Sequence, residues 1–297
     1  MRYPIRFMLL LLLLSVIVVL PVQADDDEPL QVTVSILPQQ YFVERIGGDH
    51  VAVNVMVQPG EFPGTYEPTA QQLIDLSESV AYFSIDVPFE RAWLDRFADA
   101  NPDMLMVDTT QNIQRVGMQD HGTDLPDDYE TPENPDVHIW LSPELVAVQA
   151  ETIYEALAEL DPDNETVYRE NLDAFLEDIA ALQDEINATL DGVENRNFIV
   201  FHPAWGYFAG EFGLTMIPIE VGGLEPSARE LADLIKQAQD LDVSVIFAQP
   251  EFSSESAETI ADQIGGEVML ISPLNPDWLE NMRSVAATFA NVLNAQS

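Results

Sequence analysis

Apolar residues fall along this chain in two alternating registers. Short β-branched runs of period two are followed by longer segments in which apolar residues recur every three or four positions. In the first half, residues 32–37 (Val-Thr-Val-Ser-Ile-Leu), 51–57, 80–85 and 104–108 read as strands. Segments 39–46, 70–77 and 89–98 read as helices between them. Pro38 closes the first strand, and Gln58-Pro59-Gly60 is turn chemistry after the second. In the second half, strands are predicted at 197–201, 215–220, 243–248 and 267–271. Helices are predicted at 204–212, from the cap Ser227 to about Asp240, at 254–264, and from Trp278 onward. This rhythm predicts an α/β fold of two lobes, each with a mainly parallel sheet flanked by helices.

The middle of the chain breaks the rhythm. Ser142 as N-cap and Pro143 at the first helical position start a helix that runs to about Leu160. A longer helix spans roughly 165–190. Its apolar residues are Tyr168, Leu172, Phe175, Ile179, Leu182 and Ile186, a single stripe spaced by fours and threes. A coiled-coil partner could use such a stripe. The pattern stops after about three heptads, which favours packing along the rest of its own chain. The expected organisation is therefore an N-terminal lobe at 30–163, a rigid linker helix at 164–191 and a C-terminal lobe at 192–297. Residues 117–136 contain His121, three prolines and seven acidic residues with almost no apolar periodicity, and read as a mobile surface loop.

The first residues stand apart from the fold. Arg2 and Arg6 precede an apolar run from Phe7 to Leu20, and Val22-Gln23-Ala24 offers small residues ahead of Asp25-Asp26-Asp27-Glu28. This is the pattern of a signal peptide, residues 1–24, cut after Ala24. A membrane anchor is the alternative, but the run is short of the roughly 20 apolar residues that span a bilayer. No later segment is apolar enough to span, so a soluble exported protein is expected. The 297 residues, 47% hydrophobic, suffice for one large or two moderate cores. The absence of cysteine excludes disulfides, thiolate metal sites and catalytic thiols.

Charge narrows the partners. The chain carries 52 acidic against 11 basic residues, a net −41, with Lys236 as its one lysine. Such a field repels nucleic acid and anionic membranes. It also concentrates cations. Its spread along the whole sequence fits a surface adapted to high salt better than a device for one ligand.

The four histidines carry the candidate chemistry. His138 lies in Asp136-Val-His-Ile-Trp-Leu-Ser-Pro143, just before a helix, and His202 in Phe201-His-Pro-Ala-Trp-Gly-Tyr207, at the carboxyl end of a strand. Ligand sites of α/β proteins gather at such strand ends. Neutral imidazole is a good ligand for divalent zinc, manganese or iron. His50 follows a glycine turn and is expected to be exposed, while His121 sits in the acidic loop. Glu61, at the end of the second strand, is the candidate carboxylate, and Glu251 in Gln249-Pro-Glu-Phe252 is held in reserve. An enzyme is not indicated. There is no Gly-x-Ser-x-Gly elbow, no His-Glu-x-x-His pair and no phosphate-binding loop.

Several of these segments together resemble one family. They include Pro59-Gly…Tyr66-Glu-Pro, Val87-Pro-Phe-Glu90, the segments around His138 and His202, Glu225-Pro-Ser, and Ser272-Pro-Leu…Asp277-Trp-Leu-Glu-Asn281. In order and over nearly the whole mature chain, they resemble the zinc and manganese substrate-binding proteins of ABC importers, the TroA-like or ZnuA-like family. The resemblance implies two α/β lobes joined by one helix, a divalent metal (Zn²⁺ or Mn²⁺) carried between them, and delivery to an ABC permease. It implies His138 and His202 as two ligands. The position of the family's first histidine is Gly64 here, and that of its late aspartate is Ser272. Glu61 is then the expected substitute, giving His138, His202 and Glu61, completed by Glu251 or water. A monomeric periplasmic receptor is expected, without a lipidated cysteine to anchor it. A metal-independent adhesion protein on the same fold is the alternative.

Overall fold

The structure is a computed structural model, and it describes residues 28–118, 130–220, 226–241, 243–251 and 255–295. The expected leader, His121, Glu225 and most of the acidic loop lie outside the described residues.

The N-terminal sheet is built from β1 (Leu30–Val34), β2 (Val51–Val55), β3 (Ala81–Ser84) and β4 (Leu105–Asp108). All pair in parallel, in the order β2-β1-β3-β4. Its crossovers are α1 (Leu37–Gly47), α2 (Ala70–Ser77) and α3 (Glu90–Ala100). After α4 (Pro143–Leu160) and α5 (Glu165–Leu190) comes the second sheet. It contains β5 (Asn197–Val200), β6 (Thr215–Pro218), β7 (Val245–Ala248) and β8 (Glu267–Leu270), with α6 (Gly206–Glu211), α7 (Ala228–Asp240) and α8 (Glu255–Ile264) between strands and α9 (Trp278–Ala295) last. Its order, β6-β5-β7-β8, repeats that of the first sheet, again all parallel. The two-lobed α/β expectation is met.

Boundaries move by a few residues for local reasons. The first strand stops at Val34 because the side chain of Gln39 accepts from the amides of Ser35 and Ile36 and opens α1 there. The second strand ends at Val55, yet the amides of Met56 and Val57 still donate to Val34 and Ser35 at 2.9 Å. Ser142 caps α4 as expected, its hydroxyl accepting from the Leu145 amide. Thr69 and Ser227 cap α2 and α7, each in a reciprocal box with Gln72 or Glu230.

The predicted stripe on α5 is entirely buried, from Tyr168 to Ile186, and Leu190 extends it by one more residue. It packs against α1 and α4 on one side and α9 on the other, so no coiled-coil partner is required to cover it. Trp278 of α9 fits edge-on to Phe42 of α1 at 5.2 Å and lies 6.3 Å from Phe175 of α5. Its indole donates to the Trp140 carbonyl, and the Trp140 indole donates to the Pro273 carbonyl, each at 2.7 Å. One continuous core thus joins both lobes through α5. Strand alternation then sorts β5. Phe198 and Val200 face this core, whereas Ile199 and Phe201 face a second cluster with Leu234 and Ile260 beneath α7 and α8. Among the described residues, no helix is long and apolar enough to cross a membrane.

Candidate metal centre

Both sheets present the carboxyl ends of their strands to one cavity of about 590 Å³ between the lobes. Its walls are largely apolar, with Phe62, Val87, Pro203 and Leu274 among them, and His138 and His202 line it. This is where a parallel α/β sheet is expected to hold its ligand.

His202 stands two residues past the end of β5, and Glu220 stands two past the end of β6. The register Val200↔Pro218 brings those two positions level. His202 Nδ1 lies 2.7 Å from Glu220 Oε2. Gln249, just past β7 and buried, clamps the backbone of His202: its amide nitrogen donates to the His202 carbonyl at 2.8 Å and its oxygen accepts from the His202 amide at 3.3 Å. From the other lobe, His138 sits at the turn leading into α4. Its Nδ1 lies 2.6 Å from Asp136 Oδ1, and the same oxygen accepts from the His138 amide at 3.0 Å. Asp136 is wholly buried and His138 is 6% exposed.

The proton positions follow from these partners. A carboxylate only accepts, so each imidazole keeps its proton on Nδ1 and turns a lone pair out from Nε2. The two Nε2 atoms face each other at 3.4 Å. With both rings neutral, two lone pairs at that separation repel unless a proton or a metal cation lies between them. Two nitrogens bound to one tetrahedral zinc, with bonds near 2.0–2.1 Å, stand about 3.3 Å apart. Burial holds the His202 pKa below its ordinary value, and the facing His138 adds to this, against the pull of Glu220. His202 is therefore neutral and ready to coordinate at ordinary pH.

The sequence-predicted residues divide. The structure brings His138 and His202 together. It does not bring Glu61 to them. Glu61 is exposed, in a turn closed by its amide on Gln58 at 3.0 Å. Its neighbours Phe62, Pro63 and Gly64 line the cavity in its place. The Phe62 ring stands edge-on to His202 at 5.7 Å. A Cβ added at Gly64 would fall 2.2 Å from that ring. Phe62 thus fills the space that a side chain at position 64 would enter. Glu251 does line the cavity. His50 is half-buried, edge-on to Tyr168 at 5.9 Å, rather than exposed. Among the described residues, no group of three or more His, Asp or Glu side chains is already gathered as a metal site.

Asp136, Glu220 and Gln249 were not anticipated. Asp136 fell in the segment read as a mobile loop, yet its amide donates to the Val116 carbonyl at 2.8 Å and its carbonyl accepts from the Tyr207 hydroxyl at 3.3 Å. The Asp-Val-His spacing was the available signal. Glu220 and Gln249 are found only through strand register.

Known proteins are similar over most of this length. The family profile described as zinc-uptake complex component A, periplasmic, matches residues 32–292. The high-affinity zinc uptake system protein ZnuA of Bacillus subtilis is 26% identical over 258 residues, covering 83% of this chain and 79% of that protein. A crystal structure of ZnuA is 45% identical with a TM-score of 0.83, covering 90% of this chain and all of that one. A crystal structure of a zinc-bound ZnuA deletion mutant is likewise 45% identical, with a TM-score of 0.82 over 89% of this chain and 98% of that one.

Proposed function

The chain belongs to the family of periplasmic zinc-uptake complex components, and from that membership we propose that it is an exported receptor that captures a divalent transition metal between its lobes and delivers it to an ABC permease. The family binds a solute and is not a family of enzymes. The single observation that carries the reading is the pair of convergent imidazole lone pairs, His138 and His202, each oriented from behind by a buried carboxylate. Carboxylate–histidine pairs of this kind fix the tautomer and raise the basicity of metal ligands.

Zinc is the favoured cargo over manganese. Two nitrogen donors suit zinc, whereas manganese prefers oxygen. The 3.4 Å spacing of the two Nε2 atoms matches one edge of a zinc tetrahedron. A related protein of 45% identity has been crystallised with zinc bound. The apolar core is continuous between the lobes through α5, which supports capture by small side-chain and loop shifts rather than by a wide hinge. Export through the leader and life as a periplasmic monomer complete the proposal.

Calorimetric titration of metal-free protein tests it. One zinc should bind per chain, more tightly than manganese, and His202→Ala should lose at least about 100-fold in zinc affinity. Absence of zinc binding in the wild type, or unchanged binding in the variant, would remove the reading. The first of those outcomes would favour the second reading, adhesion without metal, which the displaced Glu61 and the ring of Phe62 beside His202 keep in play.

A further inference from the structure

We propose that Glu251 is a third ligand to the metal and that Ser272 is the residue that positions it. This rests on the metal-receptor reading and names the donor that reading leaves open.

Strands β7 and β8 run parallel with Ala248 level with Leu270. The chain therefore leaves both strands at the same height, and Glu251, which lines the cavity, meets Ser272 in a smaller pocket beside it. Ser272 is held firmly there. Its carbonyl accepts from the Asn281 side chain at 2.9 Å, and its hydroxyl oxygen accepts from the Leu274 amide at 3.2 Å. Its one hydroxyl proton is then directed to Glu251 Oε1, at 3.0 Å. This fixes one oxygen of the carboxylate.

The other oxygen, Oε2, is buried and has no hydrogen-bond partner among the described residues. Glu251 lines the same cavity as His138 and His202. An unpartnered buried acceptor costs free energy in a folded protein, more so when charged, and such groups call for a specific explanation. No basic side chain among the described residues pairs with this oxygen. A divalent cation held by two imidazoles is short of donors, and a carboxylate oxygen is an ordinary zinc ligand. The two deficiencies are complementary. Glu251 is not gathered with the two imidazoles in the structure, so its free oxygen must swing toward the cation when it arrives, giving two nitrogens and one oxygen from the protein. The fourth position is left for water. Carboxylate ligation is thus supplied from the end of β7, while Glu61 remains outside the cavity.

The test is zinc affinity, measured by competition with a chromogenic chelator, together with the visible spectrum of the cobalt(II)-loaded protein. Glu251→Gln should weaken zinc binding by about 100-fold and alter the cobalt bands, since a direct ligand is lost. The thermal midpoint of the metal-free protein should stay the same or rise, because the orphaned charge is removed. Ser272→Ala should weaken zinc by about tenfold, and Ser272→Thr, which keeps the hydroxyl, should restore it. Glu251→Asp serves if the glutamine variant fails to fold, and it should also weaken zinc and shift the cobalt bands. Wild-type zinc affinity with an unchanged cobalt spectrum in Glu251→Gln or Glu251→Asp overturns the proposal. If that happens while His138→Ala and His202→Ala still abolish binding, the receptor reading stands without it. A wild type that binds no zinc overturns both.

Discussion

At the residue scale the site depends on which ring nitrogen carries the proton. Asp136 and Glu220 hold both imidazoles with Nε2 facing the cavity. Asp136→Asn or Glu220→Gln keeps a carbonyl oxygen that can still accept from Nδ1, but removes the charge behind the ring. Each should lower zinc affinity by about 10- to 100-fold without unfolding the protein, measured by chelator competition and circular dichroism. Affinity equal to wild type in both would mean that the carboxylates orient nothing. That His138 and His202 meet was foreseeable because each sits where a regular element joins a loop. Glu61 was misplaced because no period governs a loop. The turn at Gln58–Glu61 and the burial of Pro63 and Tyr66, with Tyr66 against Phe89 at 5.6 Å, decide which residue points inward, and that residue is Phe62.

At the scale of elements the sequence was more readable. Period-two runs marked the strands, Ser142 and Ser227 marked helix starts, and the α5 stripe marked its buried face except for Leu190. What the pattern could not give was polar chemistry buried between elements. Glu90 opens α3 and reaches back to the ends of β1 and β3. It accepts from the Ser35 hydroxyl and from the Ile85 amide at 3.0 Å, and Ser35 also bonds the Tyr82 hydroxyl at 2.6 Å. Burial, opposed by these hydrogen bonds, raises the Glu90 pKa from 4.5 to about 7. The folded protein then holds a proton that the unfolded chain has released. Stability from this group is full below about pH 4.5 and declines as pH rises through 7, by on the order of 3 kcal/mol. Urea denaturation of wild type and Glu90→Gln across that range checks it. The stability difference between them should fall with rising pH for the wild type, and a pH-independent difference would contradict the assignment.

For the whole molecule, two lobes with the same strand order share one core through α5, and the acidic surface surrounds both. Ion pairs such as Arg45–Asp178 at 2.6 Å and Arg283–Glu185 at 2.6 Å neutralise few of the 52 carboxylates. Self-repulsion at net −41 acts over roughly 30 Å at 0.01 M salt and about 3 Å at 1 M. The metal-free protein should therefore melt at a markedly higher temperature in molar potassium chloride than in dilute buffer. A midpoint indifferent to salt would sink the idea of a high-salt surface.

The central claim is that one metal sits between the two imidazoles. The most direct measurement is anomalous scattering at the zinc absorption edge from crystals grown with zinc. A peak should appear between the Nε2 atoms of His138 and His202, about 2.0–2.1 Å from each. A peak anywhere else on the chain, or none at that pair, would contradict it.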